Sequence, residues 1–426
     1  MLSNENGVAK HGTLCRRAAD WYTACMTENA RSRKGRVLIA PLALALAFLA
    51  LLVAVRLSPG HPLTAPSAYN SYTLQAMAWR DGRAYLAEDV PHLELAIFEG
   101  RYYVSFPPVP SLVLYPLTFL FGNDVPDGLA VTLYALAALL ALYAALRRGG
   151  FQEVGAAFWA FMLLFGSSLL PLAFSGAVWH QAQVLGFLLA VLSVAMFARG
   201  RPLPGLVFYA LSVGCRPFNA VYGPLLAILY VLERKKEGVP FAAAAGQLMP
   251  GLAAGFAVAC LYGWYNWARF GNPLEFGHNY LPEFSFQGGV QFSLSHVVRN
   301  LESHVFSLPF EFREGIWRFK QFGFSLFIAN PALLLTLVWA CADVIKRRFR
   351  ARHALILAFM LLHLFLLLLH RTFGGYQYGA RYAADLIPYA LLYILNREKK
   401  PGWASWGVMV MGLGLAVAGG LAFFVP

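Results

Sequence analysis

Long apolar runs joined by short, often basic connections dominate the chain. The first covers about residues 37–57. Others follow at roughly 128–146, 155–170, 184–198, 204–214, 220–232, 248–267, 323–344, 354–369, 382–395 and 404–424. A helix needs about 17–25 apolar residues to cross a bilayer, and backbone polar groups in lipid must pair internally. The pattern therefore predicts an all-α, polytopic transmembrane helical bundle of about eleven spans.

One apolar run breaks the rule. Residues 106–121 carry Pro107, Pro108, Pro110 and Pro116, and an interior proline costs a helix about 3 kcal/mol or more. We expect this run to lie along the membrane as a juxtamembrane helix. Charge supports that choice. With the N-terminus inside and 106–121 not crossing, Arg147-Arg148, Arg199 and Arg201, Arg234-Lys235-Lys236, the basic residues of 346–352, and Arg397, Lys399 and Lys400 all fall on the cytoplasmic side, as the positive-inside rule requires. The expected organisation is a cytosolic basic tail (1–35) and a transmembrane domain (36–426) in a plasma (inner) membrane. Two large loops, 58–127 and 268–322, face outward. No cleavable signal peptide is visible in the polar, basic first 35 residues.

Composition agrees with the pattern. Of the 426 residues 59% are hydrophobic and 13% charged, against about 25% charged in soluble domains. The net charge of +13 follows the cytoplasmic loops, so the expected partner is the lipid bilayer and not nucleic acid. Five scattered cysteines form neither a metal spacing nor a disulfide framework and read as packing residues. No GxSxG, P-loop or zinc-ligand pattern is present.

The chemistry concentrates in residues 86–122. Glu88, Asp89, Glu94 and Glu99 crowd beside Arg101, Tyr102 and Tyr103. Glu94 sits in an amphipathic setting, His92-Leu93-Glu94-Leu95-Ala96, and Asp89 lies just before Pro91; Glu88 and Glu99 read as more exposed. Outward arginines stand at span mouths: Arg101, Arg216 in Gly-Cys-Arg-Pro, Arg269, and Arg381 in Gly-Ala-Arg-Tyr. A guanidinium pairs bidentately with phosphate and stays charged. Arg101 and Arg269 also fit a headgroup-snorkelling role. His180, in Trp179-His180-Gln181, fits either an interface anchor or a polar site residue.

These residues resemble a family. Gly100-Arg101-Tyr102-Tyr103, then Phe106-Pro107-Pro108-Val109-Pro110-Ser111 and an apolar helix ending Phe121-Gly122, is similar to the first-loop signature of bacterial GT-C glycosyltransferases. Dolichyl-phosphate-mannose–protein mannosyltransferases and lipid A aminoarabinose transferases are of this kind. Ser175-Gly176-Ala177-Val178-Trp179, the stretch 265–277 (YNWARFGNPLEFG) and 376–382 (YQYGARY) continue the likeness in order, over about residues 68–388. One position departs. Where the family carries an acid soon after the first span, this chain reads Ala68-Tyr69-Asn70-Ser71-Tyr72.

The resemblance implies a polyprenyl-phosphate-linked sugar as donor, with a glycan, lipid or protein as extracytoplasmic acceptor. It implies inverting displacement by one carboxylate base: Glu94, with Asp89 and Asp385 as rivals. Lipid phosphate is a competent leaving group, so no general acid is needed; cationic groups stabilise its developing charge. Arg216 and Arg381 would hold phosphate, while Arg101, Tyr102, Tyr103, His180, Arg269 and Tyr382 complete the expected substrate-binding set. No cofactor is required. The outward carboxylates offer oxygen ligands for a divalent cation, but no spacing demands one. A non-catalytic scaffold, a lipid-linked glycan polymerase or ligase, and a transporter are the other readings; a transporter would carry mid-span charges, and Asp343 is almost alone there.

Overall fold

The structure is a computed structural model that describes residues 39–56, 64–285, 290–397 and 401–424. The 1–35 tail, with Cys15 and Cys25, lies outside them, as do Lys399 and Lys400. Two compact units divide the chain, Met1–Ala47 and Phe48–Pro426. Of the first, the described part opens helix α1 (Ile39–Arg56). Everything below concerns the second.

Every expected span is helical at its core. After α1 come α2 (Ser71–Arg80), α3 (Val109–Phe121), α4 (Asp127–Arg148), α5 (Glu153–Phe165), α6 (Leu169–Leu172), α7 (Val178–Phe197), α8 (Pro202–Val213), α9 (Tyr222–Lys236), α10 (Phe241–Gly246) and α11 (Met249–Phe270). The short α12 (Pro282–Ser285) and α13 (Val297–Leu301) lie in the second loop, followed by α14 (Leu326–Ala329), α15 (Pro331–Ile345), α16 (Ala351–Leu369), α17 (Ile387–Leu395) and α18 (Trp403–Phe424). By length and composition, five segments suffice to cross a membrane: Asp127–Arg148, Val178–Phe197, Phe241–Phe270, Ala351–Leu369 and Trp403–Phe423. The chain is a multi-pass membrane protein. Others are shorter because they break, and the breaks are repaired. Asn330 Oδ1, at the α14–α15 break, accepts from the backbone N (3.1 Å) and hydroxyl (2.8 Å) of Ser168 at the α5–α6 break, so irregular backbone is satisfied inside protein.

The mid-span acid Asp343 is paired. Arg397 Nε (3.0 Å) and Tyr393 OH (2.9 Å) both donate to it.

The all-α expectation needs one correction. Two antiparallel hairpins stand in the loops: β1 (Leu95–Phe98) with β2 (Arg101–Val104), and β3 (Phe310–Arg313) with β4 (Ile316–Phe319). Each turns on a Glu-Gly pair with positive φ at both positions, 50° and 72° at Glu99-Gly100, 55° and 82° at Glu314-Gly315. That backbone suits a two-residue hairpin turn, whose twist matches the strands. Glutamate stands where asparagine or aspartate would have announced the turn, which hid both hairpins in the sequence.

The first loop is a folded platform. Its proline-rich helix α3 has 13 residues, well short of a span. Gln75 on α2 donates to Tyr265 OH on α11 (3.0 Å) and accepts from Ser111 on α3 (2.6 Å). The backbone N of Val109 donates to Gly214 O (3.0 Å), docking the start of α3 on the end of α8. An aromatic cluster of Phe98, Tyr103, Phe270 and Tyr280 fixes the first hairpin against α11 and the second loop, with ring centroids 4.7–5.7 Å apart.

Candidate active site

Three segments meet at one end of α7. The first turn of that helix carries Trp179, His180, Gln181 and, a little deeper, Gln183. Arg216 arrives on the turn after α8, and α7 makes room for it at Gly186: a Cβ there would stand 2.8 Å from Arg216 Cγ. Arg381, Tyr382 and Asp385 come from a 3-10 turn, Arg381–Leu386, that leads into α17. Gly379 sets that turn. Its φ is +60°, and a Cβ would fall 2.2 Å from Ala329 Cβ, so only glycine fits.

The buried pair Arg216–Asp385 forms the floor. Arg216 Nε donates to Asp385 Oδ2 at 2.9 Å, and Gln183 Nε2 donates to Oδ1. Both carboxylate oxygens are therefore engaged, which makes Asp385 a holder of Arg216. The Arg216 guanidinium lies 4.4 Å from the Tyr382 ring centroid, and Arg381 stands 5.4 Å from the same ring and 5.8 Å from Trp179. Trp179 Nε1 donates to Glu94 Oε2 at 3.0 Å. The Glu94 charge thus faces Arg381, and it also faces Glu283 on α12.

Within this pocket of cations, several donors and acceptors have no hydrogen-bond partner. Arg216 Nη2, Arg381 Nε, Gln181 Oε1 and Gln183 Oε1 are all buried in that state. A buried unsatisfied donor on a charged group costs more than a neutral one; an anion would complete the two guanidinium donors, whereas the two glutamine oxygens call for a donor such as a hydroxyl.

The expected residues sort by place. Glu94, His180, Arg216, Arg381, Tyr382 and Asp385 come together around Trp179. Asp89 is exposed, without a hydrogen bond or ion pair to a described residue. Arg101 is also exposed, its guanidinium 4.6 Å over the Tyr85 ring. Tyr102 packs in a cluster with Leu86, Leu93 and Val104, while Tyr103 packs on Phe270. Arg269 is a buried staple: Nη1 donates to Val104 O (2.9 Å), Nη2 to Asn266 Oδ1 (2.8 Å), and its guanidinium covers Tyr265 at 4.2 Å. It ties the first hairpin to α11.

The segment lacking the expected acid lies beside Glu94. His92 Nε2 bonds Ala68 O (2.9 Å), Val178 N donates to Tyr69 O (3.0 Å), and the Tyr69 ring rests 5.0 Å from Trp179. Two carboxylates adjoin this segment: Glu94, from the lead into β1, and Asp127, which accepts from the flanking Ser67 and Thr73.

Four features escaped the sequence reading. Gln183 stands two positions beyond Gln181 in His180-Gln181-Ala182-Gln183, and its spacing from Trp179 was the available signal. Glu283 depends on α12 packing against β1, a contact between distant segments. Crowding by its surroundings and then the Glu94 charge hold its carboxyl above the ordinary value. Arg371 lies 3.6 Å over the Phe284 ring, beside Glu283. Asp127 opens α4 fully buried and accepts from Thr73 (3.1 Å), Gln181 (3.2 Å) and Ser67 N (3.3 Å); it joins the first loop to α7. Among the described residues no group of three or more His, Cys, Asp or Glu is placed to hold a metal.

Beside the platform runs an apolar groove of about 490 Å³. Pro108, Val109, Leu112, Leu211, Leu261 and Tyr262 are among its lining residues.

The bundle with a folded first loop defines a class: a polytopic helical membrane protein with a folded loop platform beside its apolar helices. The structure of ArnT from Cupriavidus metallidurans bound to undecaprenyl phosphate is similar at TM-score 0.50 and 15% identity, over 88% of this chain and 63% of that one. The apo oligosaccharyltransferase of Archaeoglobus fulgidus is similar at TM-score 0.46 and 13% identity, over 91% of this chain and 56% of that one. The chain spans less than two thirds of the length of either. No family model and no curated protein sequence matches it. The likeness to ArnT bears out the expected resemblance as a shared fold.

Proposed function

We propose that this chain is a membrane glycosyltransferase that moves a sugar from a polyprenyl-phosphate donor to an extracytoplasmic acceptor hydroxyl. The observation that carries the reading is the pair of buried guanidinium groups, Arg216 and Arg381, each with an unpartnered donor and both beside Tyr382, with Glu94 held by Trp179 next to Arg381. Two fixed cations in a water-poor site suit a phosphate that gains charge as a bond to it breaks. That ArnT, with which the fold is shared, was crystallised with undecaprenyl phosphate supports the same class of donor.

In this reading Glu94 removes the proton from the acceptor hydroxyl, the hydroxyl oxygen attacks the anomeric carbon from the face opposite the phosphate, and the lipid phosphate departs with its bonding electrons. Configuration inverts in the single step. Trp179 holds the Glu94 carboxylate in place, and Asp385 with Gln183 holds Arg216. The apolar groove accepts the prenyl chain. Asp89 and Arg101, exposed and apart, take no part.

The test is transfer of radiolabelled sugar from a panel of polyprenyl-phosphate donors in membranes carrying the protein, with Glu94→Gln alongside. We expect turnover with at least one donor and a loss of 100-fold or more, about the size of a general-base contribution, in the variant. Full activity of Glu94→Gln would remove the base from Glu94. Failure of every donor both to react and to bind would favour a non-catalytic scaffold.

A further inference from the structure

The second loop carries a row of large apolar side chains that nothing in the described protein covers. Trp317 is 71% exposed, Phe306 74% and Phe312 63%, with Leu308, Ile316 and Phe322 similarly open. Exposed apolar side chains concentrated in one loop, with Phe312 and Trp317 paired on one face of the hairpin, mark a contact with something. We infer that the β3–β4 hairpin and its flanks form a lipid-facing shelf, seated in the headgroup–acyl boundary of the bilayer.

Depth is fixed by what the loop touches. Phe319 on β4 meets Phe423 with ring centroids 6.4 Å apart, and Tyr376 meets the same ring at 5.1 Å. Phe423 ends the apolar stretch Trp403–Phe423. The loop is also stitched to the end of α16. Asn300 Nδ2 donates to Leu368 O and His370 O, both at 2.9 Å, and Ser293 N donates to Leu369 O at 2.9 Å. The ends of spanning helices lie at the membrane–water boundary. The loop is held at two such ends, at α18 through the hairpin's own Phe319 and at α16 through Ser293 and Asn300, and this sets the hairpin at that level whichever side of the membrane it faces.

Its chemistry fits that layer. Phe312 and Trp317 are direct cross-strand partners, 5.5 Å between centroids. Aromatic rings concentrate at membrane interfaces, where an apolar body and a polar edge are both accommodated. Arg313 and Arg318, about half exposed or more, flank them and are able to reach lipid phosphates with their stems in the apolar layer, while Lys320 Nζ donates to Ser307 Oγ at 2.6 Å. Glu314 lies in the turn and is held by Arg318 at 3.3 Å.

The shelf is joined to the candidate site. At the hairpin's base, Gln377 N donates to Gln321 O (2.8 Å), and the Gln377 side-chain oxygen accepts from Arg381 N (3.1 Å). Lipid contact at the hairpin therefore braces the loop that presents Arg381. The inference rests on the chain spanning a membrane and not on its being a transferase.

Spin labels at Trp317→Cys, at Phe312→Cys and, in the turn, at Glu314→Cys test it. Each variant lacks Cys15, Cys25, Cys260 and Cys341 and is reconstituted in phosphatidylethanolamine–phosphatidylglycerol vesicles. We expect dissolved oxygen to relax the labels at 312 and 317 faster than a water-soluble nickel chelate does, with the ratio reversed at 314. Two positions guard against one misfolded variant. Faster relaxation by the chelate at both 312 and 317 would overturn the inference. So would labels shielded from both reagents, which would assign the surface to a second copy or another protein.

Discussion

At the scale of single residues, the site depends on one buried ion pair and one glycine. Removing one partner of a buried pair leaves the other charge uncompensated, a loss of about 3–5 kcal/mol. Asp385→Asn should therefore lower the thermal midpoint in detergent markedly and weaken lipid-phosphate binding, because Arg216 loses its anchor. Arg216→Lys should keep much of the stability and still lose affinity, since an ammonium reproduces neither the planar fork nor the stacking on Tyr382. Equal loss of stability in both variants would mean that Arg216 serves packing alone. Gly379→Ala should be destabilising by both its left-handed backbone and the 2.2 Å approach to Ala329; a circular-dichroism melt reads it directly. The arginines were legible because Gly-Cys-Arg-Pro and Gly-Ala-Arg-Tyr advertise irregular backbone at span mouths. Asp385 was legible only as a rival base; its pairing was not, because it is 169 positions from Arg216 and 202 from Gln183.

At the scale of elements, the second loop is held by contacts whose strength depends on pH. Burial brings His278 and His370 down to about 4, against about 6.5 for an unperturbed imidazole. Between those values the unfolded chain binds more protons, so their stabilisation is complete above about 6.5 and is lost as pH falls towards 4. Glu283 works in the opposite direction. Its raised folded pKa makes stability fall as pH rises through the window above its ordinary value of 4.5. Melting temperature followed from pH 7 to 4 should drop, and His278→Gln should flatten the curve; an unchanged slope would contradict a role for that ring. Asn300→Ala removes two hydrogen bonds to the end of α16, at about 1 kcal/mol each, and should speed amide exchange in residues 291–306. The apolar runs were readable as helices, five of them long enough to cross a membrane; the 13 residues of α3 do not set it apart from other short apolar helices such as Glu153–Phe165. The hairpins were not readable, since short strands beside a membrane share the apolar character of the helices around them.

For the molecule as a whole, the positive-inside pattern predicts that both large loops face outward. Single cysteines at Glu99 and Glu314 should react with an impermeant maleimide in intact cells, whereas ones at Arg148 and Arg199 should react only after permeabilisation. Labelling of the second pair from outside would invert the topology and move the candidate site to the cytoplasm. Composition and charge sufficed for the class of molecule because membrane crossing is a property of long segments, each carrying its own signal. The convergence of Glu94, Arg216 and Arg381 is a property of the fold, and no segment carries it alone. The groove beside the platform has a further consequence. If a prenyl chain lies there, the enzyme samples its donor from the plane of the bilayer, so the relevant concentration is moles of donor per mole of lipid. Adding inert phospholipid at constant total donor should slow the reaction in proportion, while diluting the vesicles in buffer should leave the turnover of each enzyme unchanged.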